Sequence, residues 1–305
     1  MKKILEPNTI YKKWPLKNGG KFAVAEILKG KPVADAITED IKNRSDNLKS
    51  KGTTPTLAIV RVGENPADMA YERGALKRAE KAGVLVRQII LEESVDTENV
   101  VANIKKLNED ENVHGVLIFS PLPKHIDEDK VRNTLAAEKD VDGIGDRAMA
   151  GVYSGKDIGY SPCTAQACVE ILKHYNIPIK GQKVTVIGRS LIIGRPVAMM
   201  LMKEHGTVTI CHTRTLNIEE EAKAADILIA AAGKAKIVDQ SYMTEKQVII
   251  DVGINVDEEG NMCGDVNFEN GEKIVKAITP VPGGVGSVTT SILMKHVVEA
   301  AEKNM

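Results

Sequence analysis

The residues best suited to chemistry form a glycine-rich turn between a strand-like segment and an amphipathic segment. In VIGRSLIIGRPVA, residues 186–198, Gly188 ends the strand-like part and Gly194 follows six residues later, with Arg189 and Ser190 between them. Such glycines let the backbone turn tightly and leave the N–H groups of a helix start free for a dinucleotide pyrophosphate. The spacing is not GxGxxG, and tight glycine turns also occur in α/β proteins that bind no nucleotide, so the turn alone leaves both interpretations open.

A second candidate cofactor contact lies at the end of the next strand-like segment, TVTIC, residues 207–211. Rossmann units that bind NAD place an acidic residue there, where it bonds the ribose hydroxyl. This chain instead continues with His212, Thr213 and Arg214. Arg189 and Arg214 could therefore contact the 2′-phosphate of NADP, or both could be solvated loop charges. The sequence favours NADP and leaves NAD open.

The elements that must position these residues alternate between short aliphatic runs and amphipathic stretches, which is typical of an α/β fold with parallel sheets. The length of 305 residues predicts two domains, which we place at residues 1–163 and, as a Rossmann-type unit, at residues 164–286. The predicted strands cover residues 56–62, 84–91, 115–119, 183–188, 207–211, 226–232 and 248–253; the predicted helices cover residues 33–48, 65–82, 97–107, 164–175 and 288–302. The stretch 143–162 is predicted to be irregular.

The composition excludes several classes of function. Hydrophobic residues make up 43% and aromatic residues only 3%, which predicts aliphatic cores and argues against stacking platforms for single-stranded nucleic acid. Lys and Arg number 41 against 42 Asp and Glu, so no global basic field attracts a polyanion. The four cysteines show neither CxxC nor zinc-site spacing. With no apolar run of about 20 residues, we expect a cytoplasmic protein without nucleic acid, membrane or metal.

Several segments together resemble the bifunctional methylenetetrahydrofolate dehydrogenase/cyclohydrolases of one-carbon metabolism. They follow the family order from about residue 25 to residue 286: ILKGKPVA (27–34), PLPKH (121–125), KDVDG (139–143), SPCT (161–164), VIGRSLIIGRP (186–196), TVTICHTRT (207–215), IDVGIN (250–255), GDV (264–266) and TPVPGGVG (279–286). The resemblance implies an N-terminal folate-binding domain completed by the C-terminal helix at 287–305, a Rossmann domain for NAD(P), an active-site cleft between them and a homodimer.

The resemblance also implies roles for individual residues. Tyr71 would lie along the folate ring and Asp142 would bond the pterin, which makes them the candidate catalytic and substrate-binding residues. The loop of Pro282, Gly283 and Gly284 would close around the nicotinamide. The cofactor phosphates would be held by Gly188, Arg189, Ser190 and Gly194. The plainer interpretations are that Tyr71 packs a helix and that Asp142 shapes a turn.

The sequence departs from the family at two positions. Members that also hydrolyse the methenyl intermediate carry a lysine four residues after the tyrosine and a glutamine just before the PLP loop, and here Ala75 and Phe119 stand there. Lys77 is about 200° round the helix from Ala75, and the guanidinium of Arg78 stays protonated, so neither replaces the lysine. We predict a dehydrogenase with little or no cyclohydrolase activity; the alternatives are full bifunctionality and a non-catalytic folate or nucleotide binder.

Overall fold

The computed structural model describes residues 24–304 and shows two parallel sheets, each flanked by helices. The first 23 residues, for which the sequence gives no functional interpretation, lie outside the described residues. The strands in chain order are β1 (Glu26–Ile27), β2 (Thr56–Val62), β3 (Leu85–Leu91), β4 (Gly115–Ile118), β5 (Lys183–Ile187), β6 (Thr207–Cys211), β7 (Ile227–Ala230), β8 (Val248–Asp251), β9 (Asn255–Val256), β10 (Met262–Cys263) and β11 (Ala277–Ile278).

The helices connect these strands and cover their faces. In chain order they are α1 (Gly30–Ser50), α2 (Pro66–Ala82), α3 (Thr97–Glu109), α4 (Glu128–Thr134), α5 (Asp146–Ser154), α6 (Cys163–His174), α7 (Gly194–Lys203), α8 (Ile218–Lys223), α9 (Phe268–Ile274) and α10 (Thr289–Lys303). None of the helices within residues 24–304 is long and apolar enough to cross a membrane.

The smaller sheet has three parallel strands in the order β3-β2-β4. The central strand β2 is buried along its whole length, as expected for an apolar strand covered on both faces. The next element, α2, begins with local signals that the sequence shows: the Asn65 side chain accepts from Ala67 N–H, Pro66 is the first helical residue, and Gly83 ends the helix with φ +72°. The carboxyl ends of β2 and β4 meet at one edge, beside α2.

The larger sheet has six parallel strands in the order β1-β11-β8-β7-β5-β6. Its order reverses at β5, because β6 lies on one side of β5 and β7 on the other. In open α/β sheets ligands bind outside the carboxyl ends of the strands at such a reversal. The turn that follows β5 is therefore the expected ligand crevice of this sheet.

The first strand and the last helix of the described chain each pack with elements that are distant in sequence. Strand β1 pairs with β11 in the larger sheet, although the predicted division assigns residues 1–163 to the N-terminal domain. Helix α10 packs against α1, α2 and α6. The placement of the boundary at residue 163 stays a prediction.

The predicted irregular stretch at residues 143–162 contains helix α5, so that prediction is wrong. Its glycines favour a loop in sequence, but Gly151 lies inside the helix because the chain packs closely there. A Cβ on Gly151 would lie 2.2 Å from the carbonyl oxygen of Ile158. Close backbone approach, rather than a turn, explains this glycine.

Candidate active site

A cavity of about 760 Å³ lies between the smaller sheet, α5 and the start of α7. Tyr71 of α2, Phe119 at the end of β4 and Asp142 line it from one side. Ile192 and Arg195, from the turn and helix after β5, line it from the other. The structure therefore brings together the sequence-predicted Tyr71, Phe119 and Asp142 beside the candidate cofactor turn.

Tyr71 and Phe119 form an aromatic wall of this cavity. Their ring centroids are 5.8 Å apart and their planes are 85° apart, an edge-to-face contact. Ala75, one turn after Tyr71, has a fully buried side chain in the hydrophobic core and does not line the cavity. Lys77 is exposed, and Arg78 donates to Thr38 Oγ1 at 2.9 Å, so neither side chain lines the cavity.

Among the carboxyl groups that line this cavity, Asp142 has the most strongly shifted pKa. Burial and the nearby Asp140 carboxylate raise the pKa of Asp142 to about 6, while the Cys163 thiol opposes the shift. Asp140 holds the backbone that follows, because its carboxylate accepts from the N–H groups of Gly143 and Gly145 at 3.0 and 2.8 Å. Burial raises the pKa of Tyr71 as well, so its phenol stays neutral at pH 7.

The turn between β5 and α7 has the shape that a dinucleotide requires. Gly188 has φ +125°, and a Cβ there would lie 2.0 Å from the carbonyl oxygen of Ala231, directly after the neighbouring strand β7. A Cβ on Gly194 would lie 2.3 Å from the carbonyl oxygen of Gly188. Ser190 Oγ accepts from the N–H groups of Ile193 and Gly194 at 3.1 and 3.4 Å. Only glycine fits both positions, and the turn presents the start of α7 at the sheet's order reversal, so these residues fit an NAD(P) pyrophosphate.

The two candidate phosphate-binding arginines are exposed. Arg189 follows the glycine of the turn, and Arg214 lies at the tip of β6. The tip is held in shape because His212 Nδ1 accepts from Arg214 N–H at 3.1 Å and Thr215 Oγ1 accepts from His212 N–H at 2.9 Å. Both guanidinium groups are thus available to an anionic group at this end of the sheet.

The predicted nicotinamide loop lies in a different place from Tyr71 and Asp142. Pro282, Gly283 and Gly284 line a smaller cavity of about 270 Å³, together with residues 251–254. The loop is anchored to the start of α1, where Gly30 N–H donates to the Gly283 carbonyl at 2.8 Å. The structure does not bring this loop into the cavity of Tyr71 and Asp142.

A pair of aspartates that no sequence pattern indicated shapes the larger sheet's crevice. Asp265 accepts from Ala232 N–H at 2.6 Å, and also from the N–H groups of Gly233 and Lys234, both at 3.0 Å. Asp251 accepts in turn from the N–H of Asp265 at 3.0 Å. Burial raises the pKa of Asp251 to about 7. The sequence shows one aspartate at the end of a predicted strand and another in the GDV segment. No local pattern indicates that the two interact.

These features define a class of protein: a two-domain α/β protein in which a dinucleotide-binding sheet faces a second parallel sheet across a cavity. Two family models then match the chain. The catalytic domain of tetrahydrofolate dehydrogenase/cyclohydrolase matches residues 28–142, and the NAD(P)-binding domain of the same family matches residues 162–305. The chain belongs to the tetrahydrofolate dehydrogenase/cyclohydrolase family of enzymes.

Relatives of known name support this assignment. The bifunctional protein FolD of Clostridioides difficile (strain 630) is 52% identical over 277 residues, which cover 91% of this chain and 96% of the relative. The solved structure of the bifunctional FolD from Campylobacter jejuni has a TM-score of 0.89 at 36% identity and covers 92% of this chain and 100% of its own. That of the Trypanosoma brucei enzyme, complexed with NADP and an inhibitor, has a TM-score of 0.86 at 32% identity and covers 92% and 98%.

Proposed function

We propose that this protein is a methylenetetrahydrofolate dehydrogenase that transfers hydride from methylenetetrahydrofolate to NADP, with weak or absent cyclohydrolase activity. The observation that supports weak or absent cyclohydrolase activity is the pair of apolar side chains at positions 75 and 119, beside Tyr71. Ala75 is fully buried and Phe119 packs its ring against Tyr71. The named relatives are bifunctional, so this chain would keep one of the two activities.

For the oxidation, the protein has mainly to hold the two reactants in the correct relative position. The methylene carbon lies between two nitrogens whose lone pairs help to expel hydride, so no protein base has to take a proton. The nicotinamide, when bound, accepts that hydride. Tyr71 and Phe119 offer aromatic surface to a folate ring, and Asp142 offers a carboxylate to the pterin. Holding the reactants in register away from water lowers the barrier by several kcal/mol.

Hydrolysis of the methenyl product also needs side chains that transfer protons. Water must lose a proton and the leaving nitrogen must gain one, and a positioned acid or base contributes about 10²- to 10⁴-fold to such steps. A methyl group and a phenyl ring supply neither. We expect the methenyl product to accumulate.

One observation favours the bifunctional alternative. Asp142 faces the same cavity as Tyr71, and its pKa of about 6 lies near the pH at which a general base works best. If Asp142 activates water, hydrolysis survives without the lysine. The non-catalytic alternative predicts folate binding with no cofactor reduction.

The experiment follows reduced cofactor and methenyl product separately after methylenetetrahydrofolate is mixed with the protein and NADP or NAD. We expect cofactor reduction, faster with NADP, and decay of the methenyl product at the enzyme-free rate. Faster decay would favour the bifunctional alternative, and absence of reduction with both nucleotides would favour the binder.

Restoring the two polar side chains tests the cause of the loss. We expect Ala75→Lys with Phe119→Gln to raise hydrolysis by about 10²-fold. The matched control is Gly74→Lys with Phe119→Gln, because Gly74 is exposed and a Cβ added there meets no neighbour within 4 Å. A control that hydrolyses as fast as the double variant would contradict the proposed role of position 75.

We also infer that the protein forms a homodimer through its larger sheet. Strand β6 is an edge strand of that sheet, and Met202 on the preceding helix α7 is 52% exposed. An unpaired strand edge beside apolar surface is a site that proteins cover by association. Sedimentation equilibrium of the purified protein tests this, and a monomer at micromolar concentration would contradict it.

A further inference from the structure

Three large apolar residues that line the candidate folate cavity are exposed to solvent. Tyr153, on α5, is 78% exposed, and Leu191 and Ile192, in the turn between β5 and α7, are 56% and 53% exposed. They line the same cavity as Tyr71 and Asp142. A single exposed apolar residue is ordinary on a soluble protein, but a group of them around one cavity indicates a surface that a ligand covers.

Leu191 and Ile192 belong to the candidate cofactor turn, yet they also line the cavity beside α5. The turn can hold a pyrophosphate through the backbone N–H groups at the start of α7. Such binding needs no apolar side chain, so it gives no reason for two exposed aliphatic residues. Helices α5 and α7 pack against each other, which brings Tyr153 and the turn to one cavity. The turn can therefore contact a second ligand with its side chains.

Two charged groups on opposite walls of this cavity complement the two ends of a folate. Asp142 can accept from the donors of a pterin. Arg195 of α7 lines the other wall and is exposed, and its Nε donates to the Arg189 carbonyl at 3.1 Å, which orients the guanidinium. The second arginine of the cavity, Arg132, is paired with Glu128. A folate carries a pterin, then an aromatic ring, then a glutamate with two carboxylates, so its polarity follows that of the cavity.

We propose that Tyr153, Leu191 and Ile192 bind the aminobenzoyl ring of the folate and that Arg195 binds its glutamate. This inference rests on the proposed function and adds to it the part of the substrate beyond the pterin. The aminobenzoyl ring is bonded to one of the two nitrogens that flank the methylene carbon. Holding the ring therefore also restrains the carbon that loses hydride, beside the turn that is expected to bind the cofactor.

The first test compares two ligands that differ by the aromatic ring. Tetrahydropteroyl methylamide has the pterin and the ring, and 6-methyltetrahydropterin has the pterin alone. We expect Tyr153→Ser and Ile192→Ser each to raise the dissociation constant of the methylamide about tenfold, and that of 6-methyltetrahydropterin by less than about twofold. Calorimetry measures the first directly and the second by displacement. Equal losses with both ligands would show that these residues act on the pterin, and would overturn the proposal.

Two further variants control for the loss of apolar surface. Tyr153→Phe keeps the aromatic ring and should bind the methylamide as the wild type does. Ile90→Ser removes an isoleucine that is 56% exposed on β3, outside this cavity, and should also bind as the wild type does. Circular dichroism and melting curves establish that each variant folds, and Leu191→Ser replaces a variant that does not. An Ile90→Ser protein that binds as weakly as Ile192→Ser would contradict the proposal.

The second test concerns the glutamate. We expect Arg195→Met to raise the dissociation constant of tetrahydrofolate about tenfold and to leave that of the methylamide, which has no glutamate, within about twofold. A similar loss with the methylamide would show that Arg195 does not act through the glutamate. A rise in the dissociation constant of NADP instead of that of tetrahydrofolate would assign Arg195 to the cofactor. Either result would show that the proposed role of Arg195 is wrong.

The outcomes also separate this inference from the proposed function. A wild-type protein that reduces NADP, with variants that bind the methylamide and tetrahydrofolate as tightly as it does, would overturn this inference alone. A wild-type protein that neither reduces NADP nor binds tetrahydrofolate would overturn both. Sedimentation equilibrium tests the other occupant of an apolar surface. If Ile192→Ser loses a dimer and keeps its affinity for the methylamide, a second copy of the chain covers this surface and the inference is wrong.

Discussion

Asp142 is the residue at which charge and binding are most directly linked. Its carboxylate is the expected partner of the pterin donors, and it can accept both of them only when ionised. Burial and Asp140 raise the pKa of Asp142 to about 6, so the group titrates within the range in which an enzyme can be assayed. Folate binding should therefore depend on pH through this side chain.

We expect KM for methylenetetrahydrofolate to rise as the pH falls below about 6, because protonation removes the acceptor. The rise approaches tenfold per pH unit well below that value. Asp142→Asn should raise KM about 10- to 100-fold at pH 7.5 and remove this pH dependence. The measurement is KM for both proteins across pH 5 to 8. A variant that retains the wild-type profile would show that another group titrates.

At the scale of single elements, Asp265 determines the shape of the loop after β7. Its Oδ2 accepts from the N–H groups of Ala232 and Gly233, while Oδ1 accepts from Lys234 N–H and from Asn255 Nδ2. All four partners are donors, so both oxygens are required. This loop follows the strand that packs beside the Gly188 turn, and it therefore lies next to the candidate cofactor turn.

Asp265→Asn should damage cofactor binding more than folate binding. The new amide group faces N–H donors, which costs about 1–3 kcal/mol of stability. We expect KM for NADP to rise about tenfold and KM for methylenetetrahydrofolate to change little. Glu258→Gln, which removes a charge from an exposed position near β9, is the control. Equal changes in both KM values would indicate a general loss of structure instead.

Local signals explain how much of the elements could be predicted. The residues at the two ends of helix α2 predict where it begins and ends. Asn65 and Pro66 mark its start and Gly83 marks its end, and the structure has both. The pairing of β1 with β11 brings Glu26 beside Ala277, a contact between distant residues with no local pattern. In the candidate site, the cavity wall of Tyr71, Phe119 and Asp142 followed from family resemblance, whereas the bonds of Asp265 to the loop after β7 depend on how distant segments pack.

At the scale of the whole molecule, the two units are interlocked by their ends. Strand β1 extends the larger sheet, while α10 packs against α1, α2 and α6. Arg44 of α1 donates to both Glu302 oxygens of α10, from Nε at 2.9 Å and from Nη2 at 2.6 Å. The last helix therefore packs against α2, the helix that carries Tyr71, and its packing should affect the stability of the whole chain.

His296 is the buried polar side chain through which α10 reaches the Asp142 segment. It is 2% exposed, and its Nδ1 lies 2.7 Å from the carbonyl oxygen of Val141, the residue before Asp142. Its Nε2 lies 2.8 Å from the side-chain amide of Gln166, and its ring stacks on Tyr160. Burial lowers the pKa of His296 to about 4. The charged groups that act on this ring from neighbouring positions are Lys295, Glu170 and Lys303.

This histidine makes stability depend on pH in a defined direction. Between about pH 4 and pH 6.5 the unfolded chain binds a proton at His296 that the folded chain does not bind, so the free energy of unfolding falls as the pH falls. Across this whole pH range, the free energy of unfolding falls by about 3 kcal/mol through this group. His296→Gln should be less stable than the wild type at pH 7, because its packing on Tyr160 is lost, but should lose less stability on acidification. Urea unfolding of both proteins from pH 7 to pH 4.5, with the exposed His174→Gln as control, measures the difference. Parallel curves for the wild type and His296→Gln would show that the folded and unfolded chains bind a proton at His296 equally, and would contradict a pKa lowered by burial.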